Sequence, residues 1–406
     1  MPKNQKGFHL LPLLIATVLA GIGFMGYRVM QRNDTGSKSA DSTAKGAAKD
    51  VGEQEKQWLK SCKGEGRVQM QKSPMNLGDV GMILPLGLTA GAHVTPIDHL
   101  YFSPIEFNSP RDKYPVYAMA DGYIVEVTSR SVNVDTGQAR PPEYRIIMQH
   151  SCQTISYFDL VTSMDDSIIE QMPDIKSKGR ASGHVAIKAG QLIGRIGGQT
   201  LDTAVYNMNL ILPGFITPKL YDGEFWKIHT DDFFSYFNEP LKSQLLAINP
   251  RKTPPLSGKI DYEQPGKLIG NWFKEGSGGY AGVTGNTGVG SNGRGYWNGH
   301  LSIFYHFLKP ELVIVSLGEF KSGQPQSFAV LGNKPDPASI DKNSGAIKYE
   351  LIQAPGQNGE IPQDERAMAT ILFQVMDGEK LKVEVFADKT AAQISNFTSG
   401  ALIYER

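Results

Sequence analysis

The chain has 406 residues, with 41 Lys+Arg balanced by 41 Asp+Glu, 40% hydrophobic and 9% aromatic residues. That length accommodates two or three domains. Zero net charge excludes a general nucleic-acid binder, which carries a basic surplus, so no nucleic-acid partner is expected. The 44 glycines and 24 prolines predict many turns between short strands, hence a mostly β chain.

Residues 1–7 are polar and carry Lys3 and Lys6. FHLLPLLIATVLAGIGFMGYRVM follows from residue 8, with no charged side chain until Arg28. About 20 apolar residues at ~1.5 Å each span a bilayer core. A cleaved signal peptide needs a shorter apolar core and a small-x-small site, and none is clear after Met25. Residues 1–32 are therefore read as a membrane anchor with a short cytoplasmic tail. Arg28 and Arg32 balance Lys3 and Lys6, so charge does not set the orientation. Residues 33–57 hold few large apolar side chains and read as a flexible stalk.

Residues 58–212 read as the first β-domain, with MILPLG (82–87) as its opening strand. PVYAMADGYIVEV (115–127) alternates around a turn at Asp121-Gly122. YRIIMQH and TISYFDL read as a strand pair around Ser151-Cys152, and AGQLIGRIGG supplies turn, strand and turn. Residues 163–182 are polar, an inserted loop or short helix. The only cysteines, Cys62 and Cys152, are either a disulfide of an extracytoplasmic domain or two unrelated thiols.

Residues 213–255 change character to helical spacing, with Phe233, Phe234, Phe237, Leu241, Leu245 and Leu246 on the pattern and Pro240 breaking it. Thr230 is a candidate cap, with Asp231 and Asp232 in the first turn. From residue 256 to 406 strand follows strand, predicting a C-terminal β-barrel or sandwich of roughly eight strands. The glycine-rich stretch 276–295 lacks GxxxxGK[ST] and reads as a mobile hairpin loop. GKLIGNWF (266–273) resembles the first strand of the lipocalins over this one string.

The PVYAMADGYIVEV, YRIIMQHSCQTISYFDL and AGQLIGRIGG strings, in this order and spacing, resemble the lysostaphin-type zinc metallopeptidases, which cut peptide cross-links in bacterial cell walls. The resemblance covers residues 85–212. It implies an antiparallel β-domain with a groove, an extracytoplasmic bulk beyond the single-pass cell-membrane anchor read from the apolar run, and cell-wall peptide or glycan, or a cell-wall hydrolase, as partner. That family binds zinc through HxxxD and the second histidine of HxH, leaving a fourth position for water. In GAHVTPIDH, His93 and Asp98 stand one residue further apart than HxxxD, and His99 follows directly. VYNMNLIL takes the place of the HxH strand, so the resemblance puts Asn207 and Asn209 where the histidines belong. A neutral amide is a weak zinc ligand and no general base. Asp159 replaces the histidine of the family's YxHL string. Asp202 and Thr203 lie near this strand and are candidates to line the groove. His150, His184, His229, His300 and His306 have no ligand spacing with His93.

Three functions follow. One is a non-hydrolytic relative that keeps the groove and binds an envelope ligand or regulates a true hydrolase. The second is an active zinc peptidase with rearranged ligands. In the third, the C-terminal β-domain captures an apolar or glycan ligand through Trp272, Phe273, Tyr296, Trp297, Phe304 and Tyr305.

Overall fold

The computed structural model describes residues 51–132, 139–282, 295–356, 360 and 366–406. The expected membrane segment, the linker as far as residue 50 and residues 283–294 of the glycine-rich stretch lie outside the described residues. Among the described residues no helix is long and apolar enough to cross a membrane.

The described chain opens on α1 (Val51–Leu59), so residues 51–57 of the expected stalk are helical. Their composition is that of a linker. Burial of Trp58, 1% exposed against Tyr206, Phe225 and Trp226, supplies the apolar contact that the composition lacks.

Ten strands follow: β1 (Val80–Leu84), β2 (Leu100–Pro104), β3 (Tyr114–Tyr117), β4 (Gly122–Val132), β5 (Ala139–Gln149), β6 (Thr154–Val161), β7 (Ser163–Met164), β8 (Arg180–Ile187), β9 (Leu192–Ile196) and β10 (Leu201–Asn207). The inserted segment between β7 and β8 forms two short helices, α2 (Asp166–Gln171) and α3 (Asp174–Lys178). Seven strands make one antiparallel sheet in the order β1-β2-β10-β6-β5-β4-β8, and β3-β9-β7 make a second. PVYAMADGYIVEV is therefore no hairpin: β3 pairs with β9, whereas β4 pairs with β5 and β8. Gly122 is required for close approach, since a Cβ there would lie 2.5 Å from the Gln149 carbonyl oxygen. Asp121 accepts from the Ala189 N–H at 2.9 Å and pins the same corner.

One face of the large sheet packs on the main core through Ile124, Ile146, Phe158 and Val205. The other face carries Val125, Ile147, Tyr157, Ala204 and Tyr206 at one end, covered by Trp58, Phe225 and Trp226. Charged residues fill the rest of that face. The segment after β10 forms 3-10 turns at Pro218–His229 and Phe233–Tyr236, then α4 (Leu241–Ala247). Asp232, rather than Thr230, caps the second turn by accepting from Phe234 N–H at 3.1 Å. Thr230 instead donates back to the Lys227 carbonyl at 2.9 Å and closes the preceding turn.

The C-terminal part is a closed antiparallel barrel of eight strands joined in chain order: β11 (Gly270–Lys274), β12 (His300–Tyr305), β13 (Val313–Leu317), β14 (Gln326–Val330), β15 (Ile347–Gln353), β16 (Ala369–Met376), β17 (Lys380–Ala387) and β18 (Leu402–Glu405), which returns to β11. Closure removes the sheet edges that a sandwich leaves. Leu301, Val315, Phe328, Tyr349 and Phe373 fill the interior around Trp272. Trp272 donates from Nε1 to the Leu268 carbonyl at 2.8 Å, and the Arg406 guanidinium lies 3.9 Å from its ring. The aromatics considered for ligand capture divide by role. Trp272 is interior, Phe304 lies under Tyr262, and Phe273 packs on Tyr221 at 5.5 Å.

Tyr221 also joins barrel to sheet domain by polar contacts. Its hydroxyl donates to Glu263, which accepts from Ile216 N–H at 2.8 Å, and Asn271 of β11 donates to Tyr221 Oη at 2.9 Å. Burial pushes the Glu263 carboxyl up to about 7 from an ordinary 4.5. The folded chain thus keeps a proton that the unfolded chain loses between those values, and stability falls as pH rises through that window. Glu263→Gln is expected to match the parent below pH ~4.5 and to exceed it by about 3 kcal/mol above pH ~7. Urea unfolding across pH checks this; a constant difference would mean that Glu263 does not titrate on folding.

Candidate functional site

The polar face of the large sheet is organised in rows that follow strand register. Asp202 of β10 stands opposite Tyr101 of β2 on one side and Asp159 of β6 on the other. Arg145 of β5 stands opposite Thr128 of β4, which in turn faces Arg180 of β8. Arg130 and Glu143 pair in the next row. The loop before β2 brings His93, Asp98 and His99 over the Asp202 end.

His99 lies between two carboxylates. Its Nδ1 is 3.2 Å from Asp98 Oδ1 and its Nε2 is 3.5 Å from Asp202 Oδ2. The His99 ring meets Tyr101 at 5.1 Å, Tyr157 at 5.8 Å and His93 at 5.9 Å, all edge-on. Thr200 donates to Asp202 Oδ1 at 2.9 Å. Burial pushes the Asp202 carboxyl up to about 7, and the neighbouring Asp159 charge adds to this against the pull of His99. Burial, with the charges of His99 and Lys227, holds the His93 imidazole down at about 3, so it stays neutral at physiological pH.

Asp159 is differently placed. Arg130 donates to Oδ1, Arg145 Nε lies 3.1 Å from Oδ2, and Leu160 N–H reaches Oδ1 at 2.7 Å. Burial raises this carboxyl, but the two guanidinium groups outweigh it and hold it below the usual range. Leu160 beside it has φ +63°, a left-handed conformation rare for a bulky residue. There the β5–β6 register also shifts, between Tyr144 and Ile146. Alternation along β6 places Asp159 on the polar face with Tyr157, within reach of the arginines. Arg145 is fixed further by the rings of Tyr157 at 4.8 Å and Trp226 at 5.3 Å.

The fold thus brings His93, Asp98, His99, Asp159 and Asp202 to one end of the face. It does not bring Asn207 or Asn209 there. Asn207 is five residues along β10 from Asp202, about 17 Å at strand rise. Its amide donates to Asp231 at 3.1 Å, and its oxygen accepts from Gln153 at 3.0 Å and from Asn209 N–H at 3.1 Å. It shapes the turn that ends β10. Thr203 alternates to the opposite face, between Leu100 and Phe158 of the core. The remaining histidines have local partners: His150 binds the Asp121 carbonyl at 2.8 Å and Ser156 Oγ at 2.7 Å, and His300 binds the Tyr280 carbonyl at 3.0 Å.

Four participants escaped the sequence reading: Arg130, Arg145, Glu224 and Lys227. The last two come from residues 213–255, outside the stretch that carries the resemblance. The one signal was two charges flanking Phe225-Trp226, of which Lys227 is buried and Glu224 half-buried. Lys227 is 1% exposed and donates from Nζ to the Pro96 carbonyl at 2.6 Å, inside the His93–Asp98 loop. Burial opposes ionisation of Asp98, but Lys227 and the His99 hydrogen bond outweigh it and hold that carboxyl well below its usual range.

Zinc of the lysostaphin kind needs three protein donors around one point. His99 Nε2 and Asp202 Oδ2 are close enough to share an ion. Asp159 is committed to two arginines. Among the described residues, no three His, Cys, Asp or Glu side chains converge on a position that would hold a metal. The residues present therefore do not fit that zinc site.

No family model matches the chain, and no curated protein matches it. Among solved structures the chain is similar to one described as the NMR solution structure of lysostaphin, with 11% identity over 84% of this chain and 92% of that chain and a TM-score of 0.25. A TM-score of that size assigns neither fold nor activity.

Proposed function

We propose that this is a membrane-anchored, extracytoplasmic protein whose sheet domain is non-hydrolytic and binds a cell-envelope ligand, cell-wall peptide or glycan, or regulates a true hydrolase. One observation carries the reading. Two carboxylates at this end are already paired from within, Asp159 with Arg130 and Arg145, and Asp98 with the Lys227 charge and the His99 hydrogen bond. A metal-activated water needs a cation held by free carboxylate or imidazole donors, and here the cations are side chains. The apolar end of the same face is covered by Trp58, Phe225 and Trp226, which leaves a long extended peptide no continuous bed. The Cys62–Cys152 bond supports an oxidising, extracytoplasmic location. The anchor at residues 8–30 rests on hydropathy alone.

The test uses the purified full-length chain, its metal content measured by elemental analysis, and cell-wall peptidoglycan incubated with it in the presence of zinc. The expected outcome is no stoichiometric zinc, no release of soluble wall peptides, and co-sedimentation of the chain with the wall. Stoichiometric zinc that disappears in His93→Ala, together with peptide release, would reinstate the rearranged peptidase.

A further inference from the structure

We propose that the polar face around Thr128 is an anion-binding bed, in which Arg130, Arg145 and Arg180 receive a carboxylate of a cell-wall peptide. This rests on the non-hydrolytic, ligand-binding reading above and names the group that the sheet domain holds. Register builds the bed. Thr128 of β4 stands opposite Arg145 of β5 on one side and opposite Arg180 of β8 on the other. Arg130 lies two residues further along β4, so it leaves the sheet on the same face as Thr128. Cβ atoms directly opposite on antiparallel strands are about 5 Å apart, and those at i and i+2 about 7 Å. Three long basic side chains thus rise around one short one.

Their acidic partners lie beneath them. Arg180 donates to Glu126 Oε2 at 2.6 Å, and Arg130 and Arg145 share Asp159. The Glu126 and Asp159 side chains are 1% and 6% exposed, whereas those of Arg180 and Arg130 are 33% and 24% exposed. Carboxylates form the floor and guanidinium groups the rim, so the surface that meets solvent is positive. The neighbouring Glu143 has its own cation, Arg140 at 2.8 Å. Asp202 stands three strands from Thr128, where it takes a hydrogen bond from Thr200 and faces His99. Around Thr128, three guanidinium groups therefore meet two carboxylates, which leaves one positive charge and suits a monoanion. A carboxylate supplies that charge and matches the planar guanidinium fork. A phosphate dianion would leave a negative charge uncompensated. Arg130 also keeps a buried Nε–H with no hydrogen-bond partner in the protein. The face is open at β8, where Ser182, opposite Glu126, is exposed. Its apolar end is closed by Trp58, Phe225 and Trp226, so the bed receives a single anionic group rather than a length of chain.

The test sediments the full-length protein with purified peptidoglycan, before and after chemical amidation of the wall's carboxyl groups. Amidated wall is expected to bind at least about tenfold more weakly than native wall, and added salt to weaken binding to native wall. Arg180→Gln is expected to weaken binding to native wall about tenfold, through loss of one charge-assisted contact. That variant leaves Glu126 buried without its cation. Should it not fold, as judged by its melting temperature, Arg180→Gln/Glu126→Gln takes its place with the same loss expected. Amidated wall bound as tightly as native wall, or a folded variant with parent affinity, overturns this inference and leaves the non-hydrolytic reading standing. Displacement of the wall by inorganic phosphate, and not by acetate at equal ionic strength, assigns the bed to phosphate and overturns the carboxylate. No binding of native wall overturns this inference together with the ligand-binding half of that reading. Stoichiometric zinc with release of wall peptides overturns both.

Discussion

Replacing Cys62 and Cys152 by serine is expected to lower the stability of the sheet domain by about 4–5 kcal/mol, the loop-closure value for a bridge spanning 90 residues. The bond joins the chain just after α1 to the turn between β5 and β6. Hydrogen bonds run beside it: Cys152 N–H to the Gly64 carbonyl at 3.0 Å, Ser151 Oγ to the Gly66 carbonyl at 2.7 Å, and Gln149 Nε2 to the Trp58 carbonyl at 2.6 Å. Without the bridge these few contacts must order α1 and the following segment against the entropy of a long open loop. Trp58 is then expected to leave its seat on Tyr206 and Trp226 first, because it sits nearest the freed end. Urea unfolding of the double serine variant, followed by tryptophan fluorescence, measures both effects. A loss under ~1 kcal/mol would mean that the segment is held by packing and that the bridge adds little.

Asp159→Ala is expected to cost about 3–5 kcal/mol, the usual penalty for leaving buried charge without its partner. Here two guanidinium groups, Arg130 and Arg145, lose their shared carboxylate. The pH dependence follows from the same geometry. The Asp159 carboxyl titrates below its ordinary value of 3.8 in the folded chain. Its contribution is therefore fully present above that value and is lost as pH falls through the folded one. The variant should lack this part of the acid-induced loss, so the difference between parent and variant narrows below pH ~4. Equilibrium unfolding at pH 7 and pH 3 gives the comparison. Equal destabilisation at both values would show that the cost is lost packing rather than charge pairing.

Much of the sheet domain was legible because its strands alternate and are separated by Gly, Pro and Asp turns. YRIIMQ, TISYFDL and LIGRI lie in strands, and the C-terminal part has the eight strands expected of it. The site was legible only in part. His93, Asp98 and His99 stood together in one loop. On β10 the motif was sought at Asn207 and Asn209, whereas register places Asp202 beside Asp159. Asn207 is five residues from Asp202, an odd step, and side chains alternate along a strand, so the expected position also falls on the opposite face. Only the ladder with β2 and β6 fixes which residue meets His99.

The sequence by itself determined that the chain is mostly β, that a helical-spaced segment separates two strand-rich parts, and that His93, Asp98 and His99 stand close together in one stretch. Local propensity and period are enough for that, since they depend on neighbours within a few residues. Only the tertiary structure decided that Cys62 and Cys152 are joined, that Asp159 is held by Arg130 and Arg145, and that the connecting segment returns to cover the sheet and bring Lys227 to Asp98. These pairings join residues far apart in the chain. What decides them is that a buried charge must find a partner wherever the fold brings one within reach, and no local pattern in the sequence records that distance.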